Sequence, residues 1–237
     1  MRNHILHEWL KTKSQKFHPV VQFNPFEEKL IPFDFTEKNK ALQQINFADT
    51  EIFSKYINDL LQDARAKFGI GGYDELRILY SGSTLFDNDI VIKNAKAEEP
   101  RRLHLGVDIW GKEGTEIFAP LDGIIHSYAF NDNFGDYGAT IILKHQLEDI
   151  SFYTLYGHLS LDDLRCRHEG NTVNSGQLFA HFGVPGENGH WPPHLHFQVI
   201  YDVENYQGDY PGVCKLSDRE KYLANCPDPN LILNLMN

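Results

Sequence analysis

The chain has 237 residues, of which 41% are hydrophobic and 13% aromatic, a composition typical of a folded globular protein. Lys and Arg number 22 against 33 Asp and Glu, so the net charge is −11, and no run rich in basic residues occurs. This charge pattern argues against nucleic acid or an anionic membrane as the main partner, and no segment has the roughly 18 apolar residues that a membrane span needs.

The N-terminal residues lack the apolar segment and the small-residue cleavage site that are typical of a secretory signal. The three cysteines, Cys166, Cys214 and Cys226, are too few and too scattered for a disulfide framework, and none forms a Cys-x-x-Cys pair. We therefore expect the protein to reside in the cytoplasm.

The first part of the chain is predicted to contain one amphipathic helix. Either Asp49 or Thr50 suits its N-cap, and apolar residues then recur at three- and four-residue steps until about Phe68. Before this helix, residues 18–35 contain three prolines and are predicted to be irregular and extended. After it, residues 77–80 are predicted to form a short strand.

From about residue 101 the sequence becomes rich in strand-forming residues. Segments with many Ile, Phe, Tyr and Thr alternate with turn residues such as Asn, Asp and Gly, and no helix is predicted between them. The fold class is therefore mainly β, an antiparallel β-sheet sandwich or barrel-like core with an N-terminal α-containing extension. The predicted strands cover residues 123–130, 139–145, 150–156, 176–183 and 194–201.

His194 and His196 stand at alternate positions of the last predicted strand. Side chains two residues apart share one face of a strand, with Cα atoms roughly 6.5–7 Å apart. Continuing the alternation places Gln198 on the same polar face, and apolar residues occupy the other face. A His-x-His pair alone is more often a solvated strand face than a ligand pair, but the two prolines before it stiffen the approach to the strand.

His104 and Asp108 offer an imidazole and a carboxylate four residues apart. An extended chain would separate them by roughly 13 Å, so they can share one ion only if the chain bends, and Gly106 permits such a bend. Zn²⁺ prefers these donor types, and a catalytic site keeps one position open for water. The alternative is that Asp108 caps a turn and His104 is merely exposed.

His158 follows a glycine at the end of a predicted strand. Such a histidine is usually a surface residue, but the glycine would also allow it to approach a metal site. Other catalytic classes find little support, because the sequence has no Gly-x-Ser-x-Gly motif, no cysteine in an activating context and no glycine-rich phosphate loop.

These motifs, in this order, resemble the LytM/lysostaphin family of zinc metallopeptidases. The likeness rests on His-x-x-x-Asp at 104–108, Tyr-Gly-His-Leu at 156–159 and the His-x-His pair, and it extends to residues 114–123 and to Gly176. It covers roughly half of the chain, up to the end of the last predicted strand.

The resemblance implies a compact antiparallel β fold with a groove across the sheet and one Zn²⁺ per chain. Carried over residue by residue, His104, Asp108 and His196 would ligate the zinc, and His158 and His194 would be the catalytic histidines beside the open position. The expected function is that of a zinc-dependent hydrolase, a metalloendopeptidase that cleaves peptide bonds by means of a metal-activated water.

On this basis, residues 1–95 are an N-terminal extension, and residues 96–237 are a LytM-like zinc peptidase domain whose C-terminal tail wraps around the core. Within the family, residues 191–197 and 226–230 are more similar to intracellular versions of the domain, which are fused to aminotransferase and kinase-like domains. Most members of the family cleave bacterial cell-wall peptides, and the natural substrate of this protein would then differ from them.

Two other functions remain open at this point. The protein could be a non-catalytic module that holds a peptide or a partner in the groove, or a hydrolase of a small amide-containing metabolite. The expected partner is in each case a peptide or amide, with no nucleic acid and no membrane. The N-terminal extension either supports the fold or gates the metal site.

Overall fold

The computed structural model describes residues 2–13, 17–87, 99–147, 150–165 and 167–236. The fold is mainly β with an N-terminal helical extension, which confirms the predicted fold class. The helices are α1 (Arg2–Lys13), α2 (Thr50–Ala64), α3 (Arg219–Asn225) and α4 (Asn230–Leu233). The strands are β1 (Leu30–Phe33), β2 (Phe68–Gly71), β3 (Glu75–Leu76), β4 (Leu103–His104), β5 (Val107–Trp110), β6 (Glu116–Phe118), β7 (Gly123–Asn131), β8 (Gly138–Leu147), β9 (Ile150–Leu159), β10 (Thr172–Val173), β11 (Leu178–His181), β12 (His194–Ile200) and β13 (Val213–Cys214).

An eight-stranded sheet with the order β1-β2-β5-β12-β9-β8-β7-β10 forms the framework of the protein. β1 and β2 pair in parallel, and the other neighbours pair antiparallel. Two smaller sheets have the orders β11-β6 and β13-β4-β3. β12 lies between β5 and β9, and all seven of its residues are buried. The central position of β12 therefore keeps both of its faces away from solvent.

The first part of the chain contributes to this sheet, which differs from the prediction for residues 18–35. Residues 30–33 form the edge strand β1, and an edge strand tolerates Pro32 because one of its sides needs no hydrogen bond. Among the described residues, no helix has the length and apolar character that a membrane span requires.

The amphipathic helix begins where the sequence predicted but ends earlier. Asp49 is its N-cap, and the Asp49 carboxylate accepts hydrogen bonds from the backbone N–H groups of residues 51 and 52. The helix stops at Ala64 because Arg65 adopts a left-handed backbone with φ 51°. The prediction that it continues to about Phe68 was wrong, since Phe68 begins β2 and pairs with Leu30.

Residues 77–80 do not form the predicted strand. β3 ends at Leu76, and a 3₁₀ turn occupies Leu79–Gly82. Arg77 lies between them with its side chain fully buried. Its guanidinium donates hydrogen bonds, described below, to side chains and to a carbonyl group, whereas its backbone N–H donates to the carbonyl of Arg102 at 2.9 Å.

A cluster of aromatic and aliphatic side chains, called the aromatic cluster below, joins the N-terminal part to β5. The Trp110 ring lies 5.4 Å from that of Phe35 and 5.8 Å from that of Phe53, and Phe53 also contacts Trp191 at 6.2 Å. Its buried members are Phe33, Phe35, Leu42, Phe47, Phe53, Ile57, Leu79, Tyr80, Phe86, Trp110, Trp191 and Val213. Residues before 95 therefore pack directly against the strands of the second half.

The C-terminal residues also return to the core. Residues 226–229 form a loop between α3 and α4, and Ile232 and Leu233 of α4 are buried in the main core. The hydroxyl of Tyr73 donates a hydrogen bond of 2.5 Å to the carbonyl of Cys226. The loop thus contacts the N-terminal part of the chain.

Candidate metal centre

Two of the three predicted ligands lie on adjacent strands, and the third ends a strand of a smaller sheet. β12 pairs with β5 so that His196 stands opposite Asp108. His104 ends β4, and the chain then turns through Leu105 and Gly106 into β5. A Cβ atom at Gly106 would lie 2.5 Å from Cε1 of His196, so the turn requires glycine for its close approach to the imidazole. The bend inferred from the sequence is present at this position.

The donor atoms of these residues form a small triangle. Nδ1 of His196 lies 3.0 Å from Nε2 of His104 and 3.0 Å from Oδ1 of Asp108, and the third edge, from Nε2 of His104 to Oδ1 of Asp108, measures 3.2 Å. A tetrahedral Zn²⁺ with bonds of about 2.0–2.1 Å would hold its ligand atoms roughly 3.3 Å apart. The triangle is therefore close to the size that zinc requires.

Hydrogen bonds behind the triangle fix the tautomers of both imidazoles. Nδ1–H of His104 donates to the carbonyl of Gly72 at 2.9 Å, which leaves Nε2 without a proton in the neutral ring. In the neutral ring of His196, Nε2–H donates to Oε1 of Gln198 at 2.9 Å, and the tautomer with this bond has no proton on Nδ1. The Gln198 orientation follows from its amide nitrogen, which donates to the carbonyl of Pro211 at 3.2 Å.

The charge state of the triangle calls for a cation. Burial, with a further contribution from the nearby Arg77 charge, lowers the pKa of His104 to about 4, so this ring is neutral at pH 7. Burial opposes ionisation of Asp108, but the Arg77 guanidinium, which donates a hydrogen bond to its Oδ2, holds the pKa of that carboxyl well below its usual range. Two bare nitrogens and a carboxylate oxygen thus face one another. This donor set fits a metal ion.

His158 and His194 lie beside the triangle with their rings 4.1 Å apart. Nδ1–H of His158 donates to the carbonyl of Asn188, and Nδ1–H of His194 donates to the carbonyl of Pro192, each at 2.8 Å. Nε2 is therefore the free proton acceptor on each neutral ring. Burial lowers the pKa of His194 to about 4 and that of His158 well below its ordinary value.

The backbone of His158 is unusual, with a φ of 63° in the left-handed region. Its N–H donates to the carbonyl of Tyr137 at 2.8 Å, and its own carbonyl accepts from the N–H of Gly183 at 2.9 Å. These bonds on both sides hold the residue in place. The strand-end position that the sequence indicated is therefore a sharply constrained one.

The metal centre opens on a cleft of about 310 Å³. Asp108, His158, His194 and His196 line one part of it, whereas His104 lies behind them. The N-terminal part of the chain supplies another wall, through residues 79–86. The remaining lining residues include Trp110, Trp191, Arg101, Asp136, Asp209, Tyr137 and Tyr210. All five predicted site residues are thus brought together at one end of a cleft.

Sequence reasoning missed the groups that hold the ligands in place. The carbonyl of Gly72 and the side chain of Arg77 come from the first part of the chain, where no spacing relates them to the ligands. The sequence placed Gln198 on the polar face of the last strand but did not reveal its hydrogen bond with His196. The period-two alternation is the signal that identifies it.

Three donor atoms that lie 3.0–3.2 Å apart, with two neutral histidines and a cleft beside them, are the pattern of a catalytic single-metal site. The comparison with protein families agrees with this class. Residues 102–208 match the model of Peptidase family M23, the LytM/lysostaphin type. The match covers all five site residues and supports a metallopeptidase domain in this part of the chain.

Curated relatives match over a similar stretch. The DD-carboxypeptidase/endopeptidase Mpg of Neisseria meningitidis serogroup B is 34% identical over 98 residues, 41% of this chain and 20% of that protein. An uncharacterized metalloprotease of Haemophilus influenzae is 34% identical over 97 residues, 41% of this chain and 18% of that protein. This chain therefore matches only about a fifth of the length of these relatives.

Solved structures show a more distant likeness to this chain. The catalytic domain of the antimicrobial peptidase lysostaphin from Staphylococcus simulans is 19% identical, with 71% of this chain and 97% of that domain covered and a TM-score of 0.38. A zinc-containing peptidase from Vibrio cholerae is 23% identical, with 48% and 30% covered and a TM-score of 0.33.

Proposed function

We propose that the protein is a zinc-dependent hydrolase that cleaves a peptide bond or another amide bond. The observation that carries this proposal is the convergence of three donor atoms, 3.0–3.2 Å apart, beside two buried histidines in a cleft. The Peptidase M23 match over residues 102–208 supports the same chemistry.

One zinc ion would be held by His104, Asp108 and His196, whose donor atoms lie 3.0–3.2 Å apart. When bound there, zinc supplies Lewis-acid activation of a water molecule and of the scissile carbonyl group. The carbonyl of Gly72 and the amide of Gln198 keep the two imidazoles in the tautomers that present a lone pair to the ion.

His158 and His194 supply the proton transfers. Each ring donates an Nδ1–H hydrogen bond to a backbone carbonyl, and its Nε2 remains a proton acceptor. Either ring can therefore take the proton of the attacking water. The ring that has taken this proton then stabilises the negative charge on the carbonyl oxygen or gives the proton to the leaving amine. Because the two rings share one tautomer and lie 4.1 Å apart, they act on the same substrate group.

The substrate class that we propose is a peptide, processed in the cytoplasm by an endopeptidase of the intracellular branch of the family. The peptidase names of the relatives support peptide cleavage. The motif at residues 191–197 and the tail at residues 226–230 are the sequence features that favour the intracellular branch.

A small amide-containing metabolite is the second candidate substrate. The cleft of about 310 Å³ has walls on several sides, because residues 79–86 of the N-terminal part close one of them. A volume of this size is at the lower end of the range for small-molecule sites.

The complete set of ligands and histidines argues against a module that only binds a peptide.

The test is hydrolysis by the full-length protein loaded with zinc. We expect cleavage of at least one member of a panel of peptides and small amides, loss of activity with a chelator, and recovery when zinc is restored. His194→Ala should abolish turnover while the zinc content stays near one per chain. His126→Ala, which changes a histidine on β7 away from the site, should retain activity. A zinc-loaded wild type that cleaves neither peptides nor amides would refute the proposal.

A further inference from the structure

A buried guanidinium group lies directly behind the carboxylate ligand. The side chain of Arg77 is fully buried, and its Nη1 donates a hydrogen bond of 2.5 Å to Oδ2 of Asp108. Its Nε donates to Oε2 of Glu75 at 2.7 Å. The guanidinium thus lies between two carboxylates, which compensate the cost of removing its charge from water.

Strand pairing brings this arginine from the first part of the chain to the metal centre. β2 pairs with β5 so that Gly71 stands opposite Asp108, and β3 pairs with β4 so that Glu75 stands opposite His104. Arg77 is the residue directly after β3. It therefore lies next to the strands that carry His104 and Asp108. A Cβ atom at Gly71 would be 2.6 Å from Nη2 of Arg77, so only glycine leaves room for the guanidinium.

A shared carbonyl group links Arg77 to a second ligand. The carbonyl of Gly72 accepts a hydrogen bond from Nη2 of Arg77 at 3.1 Å and another from Nδ1 of His104 at 2.9 Å. Two of the three ligand side chains are therefore held by one short segment, residues 72–77. This segment lies outside the part of the chain that matches the family.

The bond from Arg77 decides how the carboxylate can bind a metal ion. A carboxylate has two oxygens and can bind a cation through one or both. Because Oδ2 of Asp108 is held by the guanidinium, Oδ1 alone faces the two imidazoles, at 3.0 and 3.2 Å. One oxygen and two nitrogens then leave the fourth position of a tetrahedral ion open.

We propose that Arg77 is a positioning residue that keeps Asp108 a single-oxygen ligand, and that residues 72–77 are thereby part of the metal centre. The inference rests on the proposed function, because it assumes that the triangle binds zinc. Arg77 acts through Asp108 and does not itself touch the metal or the substrate.

The experiment measures metal binding rather than hydrolysis. Zinc affinity is determined by competition with a chromophoric chelator, and coordination is followed by the visible absorption of the cobalt-loaded protein. Arg77→Met should weaken zinc binding by about 10–100-fold, the usual effect of removing a group that orients a ligand. The cobalt bands should lose intensity because the released carboxylate binds through both oxygens and raises the coordination number. Arg77→Lys restores the charge but not the planar guanidinium group. Its zinc affinity should therefore lie between those of the wild type and of Arg77→Met.

Two further variants separate positioning from general stability. Arg77→Met combined with Glu75→Gln removes one of the two carboxylates that the single substitution leaves without the guanidinium, so it serves where the single variant folds poorly. Arg167→Met is the matched control, because Arg167 is partly buried and bonds the carbonyls of Asp163 and Phe179, away from the ligands.

The outcomes distinguish this inference from the function on which it rests. If the folded Arg77 variants bind zinc within threefold of the wild type, with unchanged cobalt spectra, the positioning role is overturned while the proposed function stands. If the wild type itself binds no zinc, both are overturned. A loss of affinity in Arg167→Met equal to that in Arg77→Met would also overturn the role.

Discussion

The indole ring of Trp110 lies flat against the imidazole of His194, with ring centroids 3.8 Å apart and planes 13° from parallel. Trp110 in turn contacts the rings of Phe35 and Phe53 in the aromatic cluster. Ring contacts therefore run from the N-terminal part of the chain to one of the two histidines that we propose to be catalytic. The orientation of His194 depends on packing that begins far from the metal centre in sequence.

Trp110→Leu should lower kcat and leave zinc binding intact. Loss of the stacked indole allows the His194 ring to tilt, and a displacement of about 1 Å in a catalytic group can cost up to about 100-fold in rate. The measurement is kcat on the substrate found in the panel, together with zinc content. Trp9→Leu is the matched control, since Trp9 lies on α1 and contacts Phe17. Equal loss of kcat in both variants would contradict a specific role for the stack.

Gly106→Ala should disrupt the metal centre. The added methyl group would lie 2.5 Å from Cε1 and 2.6 Å from Nε2 of His196, and 2.9 Å from the carbonyl of Phe197. Because these contacts are too short, His196 must move, and we expect zinc affinity to fall at least tenfold, as for other losses of ligand orientation. Gly186→Ala provides the comparison, because a Cβ there meets nothing within 4 Å. Unchanged zinc affinity in Gly106→Ala would show that the turn can relax.

The stability of the protein should increase with pH through a histidine outside the metal centre. Burial lowers the pKa of His145 to about 4, and its Nδ1–H donates to the carbonyl of Asp122 at 2.8 Å. Between this value and the unfolded pKa near 6.5, the unfolded chain binds a proton that the folded protein does not. The stabilising contribution is therefore complete above the unfolded pKa and decreases as the pH falls from there toward 4.

His145→Gln should reduce this pH dependence. One proton corresponds to a slope of at most about 1.4 kcal/mol per pH unit in the free energy of unfolding. Urea unfolding of the wild type and of the variant at several pH values from 5 to 7 would measure the difference in slope. His168→Gln, at an exposed histidine, is the matched substitution for comparison. A variant with the wild-type slope would mean that His145 titrates normally in the folded protein.

Deleting residues 1–90 should yield an insoluble protein rather than a more active one. The deletion removes β2, so β5 loses a partner strand and exposes an edge, and it opens the aromatic cluster around Trp110. It also removes Arg77 and the carbonyl of Gly72. Solubility on expression and the circular dichroism of any soluble fraction are the measurements. A folded, soluble fragment with faster turnover would indicate instead that the segment gates the metal site.

The sequence predicted the parts of this fold that have a regular pattern. Segments rich in strand-forming residues, with turn residues between them, located β7, β8, β9 and β12, and the alternation in β12 correctly placed His194, His196 and Gln198 on one face. The candidate ligands also came together in the structure, because β5 and β12 pair directly and the turn after β4 brings His104 to them. The roles assigned to these residues stay predictions until metal binding and turnover are measured.

What the sequence did not reveal depends on long-range pairing. β1 and β2 have only four residues each, and Pro32 lowers the strand propensity of β1. Neither gives a periodic signal, and their strand conformation comes from pairing with each other and with β5. Arg77 could not be assigned for the same reason, since its partner Asp108 lies 31 positions away along the chain.

The left-handed backbone of His158 sets a limit on how stable this protein can be. A residue with a Cβ atom gives up roughly 1–2 kcal/mol in this conformation, and glycine or asparagine adopts it more readily. A library selected only for heat resistance should therefore be enriched in glycine or asparagine at position 158, and those variants should have lost turnover. In this fold, thermostability and the proposed chemistry would compete for a single position.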